Sequence, residues 1–136
     1  MTMHHPRLAE LVRRDPRFAY EAYEFLFEAL AHTQKMLGRQ PLPAGQEPEP
    51  ANHVTGQQLL DGIRDLALQE FGLMARTVFR LWGIEKTDDF GDIVFNLVEA
   101  NLMSKQPTDS RDDFRDRYDL DQALVRDYRI RLDEAE

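Results

Sequence analysis

The chain contains no cysteine. That one absence excludes disulfides, thiolate metal sites, iron–sulfur clusters and thiol nucleophiles, and it fits a reducing cytoplasm. Long apolar runs are missing too: nothing approaches the roughly 18 consecutive apolar residues that a membrane-spanning helix needs. The opening residues, MTMHHPRLAELVRRD, lack the apolar stretch of a signal peptide, so a cytoplasmic protein is expected. Positive charge is scarce. Lys and Arg total 17 against 25 Asp and Glu, and the net charge of −8 opposes general attraction to nucleic acid or anionic lipid. No glycine-rich phosphate loop, HExxH pair or nucleophile elbow occurs. The four histidines, His4, His5, His32 and His53, have no metal-ligand spacing beyond the adjacent pair at the start. The sequence therefore implies no cofactor, no metal and no catalytic residue, while leaving open a dyad assembled only in three dimensions.

What is present is helix punctuation. With 136 residues, 42% hydrophobic and 31% charged, the chain has the composition of one soluble domain. Its centre, residues 53–105, reads as three successive helices. Thr55 followed by Gln58 is a capping box, and Leu59, Ile63, Leu66 and Ala67 then recur on one face. Gly62 interrupts that helix at a cost of about 1 kcal/mol relative to Ala, which suggests close approach of another helix. Gly72 closes the first helix and Gly83 the second. The second is expected to turn Met74, Ala75, Val78 and Trp82 inward and Arg76 and Arg80 outward. Thr87 is the expected N-cap of the third, with Asp88 and Asp89 complementing the helix dipole in its first turn. Phe90, Ile93, Val94, Leu97, Val98 and Leu102 give that helix a wide apolar stripe.

Before this unit, Pro6 suits the first position of a short helix bearing Leu8, Leu11 and Val12. An aromatic-rich segment follows, in which Arg17, Glu21, Glu24, Glu28, His32, Lys35 and Arg39 draw a narrow wet stripe down a helix of about six turns. Its apolar breadth fits either a place in the monomer core alone or core plus a homodimer interface. The Glu row with His32 lacks the spacing of a carboxylate-bridged metal site and reads as a solvated face. Residues 39–52 form a Pro-rich crossover. Residues 106–136 form an irregular, charge-alternating C-terminal segment, in which Phe114 and Tyr118 are the expected docking anchors. There Asp119 and Gln122 form a possible second capping box, and the segment around Ile130 to Leu132 fits helix or strand equally. The fold expected is mainly α: a compact single-domain bundle of about five helices spanning residues 1–136.

The stretches HVTGQQLLDGIRDLALQEFG, ARTVF, WGIEKTDDFGDIVFNLVE and DSRDDF resemble an uncharacterised family of short bacterial conserved hypothetical proteins. The likeness spans about Tyr20 to Tyr118 and implies a single domain of bacterial origin. It brings no activity, cofactor, partner or site residue with it.

Three functional readings follow. The leading one is a non-enzymatic cytoplasmic helical module that binds a protein partner or itself, through Trp82 beside Asp88, Asp89 and Asp92, with Arg76 and Arg80 close by in sequence. The second is a helix-turn-helix DNA-binding regulator, because Leu73–Trp82, the turn Gly83–Lys86 and Thr87–Leu102 have the right proportions. Its recognition helix would begin with Asp88, Asp89 and Asp92, which phosphate would repel. A small-molecule or metal-binding protein is the third.

Overall fold

A computed structural model describes residues 6–38, 54–103 and 110–126. The Pro-rich crossover and the Ile130–Leu132 segment lie outside those residues. Five α-helices account for most of what is described, with no strand among them: α1 (Pro6–Arg14), α2 (Tyr20–Met36), α3 (Gly56–Phe71), α4 (Ala75–Leu81) and α5 (Thr87–Glu99). The expected mainly α bundle is the observed fold.

The first helix begins at Pro6, where a missing N–H costs nothing, and buries Leu8 and Leu11. Asp15 ends it and accepts from Arg17 through Nε and Nη2, both at 2.8 Å, and from Asn96 Nδ2 at 3.0 Å. The chain then turns under α4, where the Ala19 N–H donates to the Trp82 carbonyl at 3.1 Å. Gly83 stands against this turn with φ +90°, and any Cβ there would run into the Arg17 carbonyl oxygen.

At 17 residues, α2 is just under about five turns, shorter than its polar stripe suggests. It buries Ala22, Tyr23, Phe25, Leu26, Ala29, Thr33 and Gln34. Much of its apolar breadth is covered within the chain, where α1, α3 and α5 pack on it, while Met36 at its end is exposed. The α2–α3 pair is antiparallel: Phe25 meets Phe71 at a ring separation of 6.0 Å, while His32 meets Asp65 and Thr33 meets Gly62. The Thr55–Gln58 capping box opens α3 with reciprocal bonds of 3.1 and 3.0 Å. At Gly62 the helices come closest. A Cβ on Gly62 would occupy the space of Thr33 Oγ1 and lie 2.8 Å from Thr33 Cβ. The Thr33 hydroxyl is meanwhile committed to the Ala29 carbonyl at 2.7 Å.

Aromatic rings tie the remaining helices together. Phe79 of α4 sits edge-on to Phe25 at 5.6 Å and to Phe90 of α5 at 5.2 Å. Such pairs add about 0.5–1.5 kcal/mol each beyond the area they bury. One expectation is corrected at the start of α5. Lys86 holds the N-cap position, and Asp89 accepts from the Glu85 and Lys86 N–H groups at 2.8 and 3.1 Å. Thr87, instead of capping, is buried; its hydroxyl donates to the Phe114 carbonyl at 2.6 Å and accepts from the Arg117 N–H at 3.1 Å. Asp89 thus ties back the two residues before the helix, while the Thr87 hydroxyl holds the C-terminal segment. Phe114 is the anchor of that segment, seated against Gly56 of α3 and Gly91 of α5, where added Cβ atoms would lie as close as 3.0 Å to its ring or its Cβ. Tyr118 donates to the Leu60 carbonyl at 2.8 Å, and Leu120 and Leu124 are buried beyond it.

Gly62→Ala is expected to destabilise the chain by about 1–3 kcal/mol, because overpacking outweighs the helix-propensity gain of about 1 kcal/mol. In a Thr33→Ala background the penalty should shrink markedly, since the hydroxyl and methyl that meet the new Cβ are gone. Urea unfolding of the two single variants and the double variant measures that coupling.

Candidate functional site

The site is α4 with the short turn before it and the charged groups along one edge. Its core-facing side carries Ala75 and Phe79, both wholly buried, and Arg76. The sequence expectation that Arg76 points outward is corrected: its side chain is 9% exposed. A buried guanidinium is costly unless its donors find acceptors and its charge finds anions. Arg76 has both. Its Nε donates to Asp121 at 2.9 Å, Nη1 to the Ile84 carbonyl at 3.1 Å, and Nη2 to Glu85 Oε2 at 3.0 Å. One side chain thus joins α4, the turn before α5 and the C-terminal segment.

With Arg76 inside, the helix is rolled so that apolar residues face out. Met74, expected inward, is 58% exposed; Leu81 is 78% exposed and Leu73 44%. Thr77, also exposed, lies between Met74 and Leu81 on the same side. These three side chains are the majority of the five large apolar groups left exposed among the described residues, and they fall within nine positions. Singly scattered exposed leucines are ordinary on a protein surface, whereas these three are clustered.

The structure places the other sequence-derived site residues as follows. Trp82 is half-buried, its ring 5.5 Å from Phe25, 5.8 Å from Phe71 and 6.0 Å from Phe79, at the rim of the aromatic core beside the stripe. Arg80 is exposed and reaches Asp121 at 4.0 Å, so it shares that carboxylate with Arg76. Asp88 accepts from the Asp116 N–H at 2.9 Å, and Asp92 pairs with Arg17 at 3.2 Å and Arg111 at 4.0 Å. Asp89 is the cap described above. Arg76, Arg80 and Trp82 therefore converge on α4, while the three aspartates hold the start of α5 to its neighbours. Sequence reasoning missed Leu73, Leu81, Glu85 and Asp121. A signal for the leucines was available: apolar residues at 74, 75, 78, 79, 81 and 82 cover more of a helix than one core face requires.

A helix-turn-helix would need the α5 N-terminus presented to a groove. Here α5 buries Phe90, Gly91, Ile93, Val94 and Leu97, and its opening acids are bonded within the chain. A shallow, open cleft of about 150 Å³ lies between α1 and the end of α5, lined by Arg7, Glu10, Leu11, Arg14 and Ala100. Ligand pockets usually offer roughly 300–1,000 Å³ with apolar walls.

A polar seam runs along α2 and α3. His32 Nε2 lies 2.7 Å from Asp65 Oδ2, which also accepts from Gln69 at 2.7 Å. One turn away, a hydrogen bond that the protonated Glu70 carboxyl donates to the Glu28 carboxylate, with partial burial and repulsion between the two acids, pushes the Glu70 pKa up to about 7. No group of three or more His, Asp and Glu among the described residues is arranged to hold a metal ion. At Asp15 the effect is opposite, with the Arg17 guanidinium holding the carboxyl well below the usual range.

No protein-family model, curated protein or solved structure matches this chain.

The Glu70 carboxyl generates a signed pH prediction. Between its ordinary value of 4.5 and about 7, the folded chain holds a proton that the unfolded chain has released. This group's contribution to stability therefore falls as pH rises through that window and levels off above it. Glu70→Gln should remove this component of the slope. Urea midpoints measured from pH 4.5 to 8 on both proteins test it, and parallel profiles would refute the shared proton.

Proposed function

We propose that this chain is a bacterial, cytoplasmic helical module that works by docking another protein on the α4 face, and that it acts through contact rather than catalysis. The observation that carries the reading is the outward stripe of Leu73, Met74 and Leu81, next to the half-buried Trp82 and edged by Arg80 and Asp121. Apolar centres with a charged rim are the usual anatomy of a specific interface, and an aromatic anchor beside them supplies buried area at low entropic cost. Methionine adds adaptability, because its unbranched chain repacks against differently shaped partners. The sequence-based patch at Asp88, Asp89 and Asp92 is not carried into this proposal, since those carboxylates already serve internal bonds.

Photo-cross-linking in the host cell tests the reading. A benzophenone side chain at position 81 is expected to give a discrete protein adduct, whereas the same group at Gln57, exposed on α3, gives none. No adduct at 81, or equal adducts at both positions, would overturn it.

A further inference from the structure

We infer that the occupant of the α4 face is a second copy of this chain, packed with α4 against α4 in antiparallel register about a twofold axis near Thr77. This rests on the docking reading above and gives it a partner.

Spacing is the first argument. Met74 and Leu81 are two helical turns apart, and Thr77 lies between them on the same exposed side. Antiparallel pairing about an axis between Thr77 and Val78 sets Met74 of one copy on Leu81 of the other, twice over. Thr77 lies beside that axis, where its small side chain lets the helices approach closely. A twofold interface must be self-complementary in this way, each residue contacting its counterpart's partner.

Charge is the second argument. At a net charge of −8, two copies repel over most of their surfaces. Screening confines that repulsion to about 8 Å at physiological salt, so the charges at the contact decide whether association is tolerated. Along the edge of this face one exposed cation stands near one exposed anion, Arg80 with Asp121, while the buried Arg76 behind them is paired with Glu85 and Asp121. The edge is neutral and carries both signs. Moreover, Arg80 and Asp121 are more than half exposed and only 4.0 Å apart, so each keeps bonding capacity for its opposite across the axis. A neutral apolar face with an exposed Arg–Asp edge matches its own image better than it matches an acidic or a basic partner.

The absence of cysteine makes the test clean. Thr77→Cys under mild oxidation should cross-link into a dimer, whereas Gln57→Cys on α3 should remain monomeric. The wild-type chain should sediment at twice its 15.9 kDa mass. Leu81→Glu should return it to the monomer mass while its helical circular dichroism stays unchanged. Wild-type protein that is monomeric throughout, equal cross-linking at 57 and 77, or a dimer that survives Leu81→Glu would each overturn the proposal. If the position-81 adduct proves to be a different protein while the wild type is monomeric, the docking reading stands and the second copy is ruled out. An adduct within the same chain would remove both.

Discussion

The arrangement turns on a positive charge placed in the core. Among the described residues Arg76 is the only buried arginine, and its guanidinium lies where a short apolar helix would ordinarily place a leucine. Leaving it unpaired there would cost several kcal/mol, so the chain around it is fixed by what it needs. The turn after α4 presents the Ile84 carbonyl and the Glu85 carboxylate, and the C-terminal segment brings Asp121. With those partners in place, α4 cannot roll without stranding the charge. Its rotation is thereby set, and Met74 and Leu81 are left on the outside. The exposed stripe is the other side of a helix whose inner face was claimed by an arginine.

Around this point the bundle is assembled by close approach. Thr33 occupies the space of a missing Cβ at Gly62, and Phe114 lies between two more glycines, Gly56 and Gly91. Each contact lets an element sit nearer than ordinary side chains allow, and the polar groups brought in with it are satisfied. Thr33 bonds to Ala29, Thr87 bridges Phe114 and Arg117, and Tyr118 bonds to Leu60. Residues 110–126 are thus packed on the core, with Leu120 and Leu124 buried, even though their composition alternates acids and arginines like a surface tail.

Much of this was legible in the sequence, and the exceptions have a common cause. The Thr55 capping box, the Gly62 contact, the helical architecture and the Phe114 and Tyr118 anchors follow from local spacing, because each is decided by residues a turn or two apart or by apolar volume alone. Arg76 was not legible, since nothing near it in sequence announces that Asp121, 45 positions on, will supply a counter-ion. Reading it as solvated reversed α4 and hid the stripe. Thr87 failed similarly: as a hydroxyl ahead of an apolar run it matched an N-cap, but the helix begins one residue earlier than that and the hydroxyl is taken by Phe114 and Arg117, 27 and 30 positions on. The Glu28–Glu70 proton depends on two helices meeting, which a one-dimensional pattern of acids on one helix does not show. The functional reading is the least legible, because it depends on what a helix leaves uncovered.

The central claim, that Arg76 faces in and so turns the apolar stripe out, is most directly tested by proton exchange at the arginine Nε–H groups, measured by NMR at neutral pH. Assignment by single Arg→Lys variants identifies each signal. With the Arg76 Nε–H held against Asp121 in a side chain 9% exposed, its exchange should be far slower than that of Arg80, one turn along the same helix and 57% exposed. Equal, fast exchange at both would place Arg76 in solvent, roll α4 the other way, and bury the stripe on which the functional reading depends.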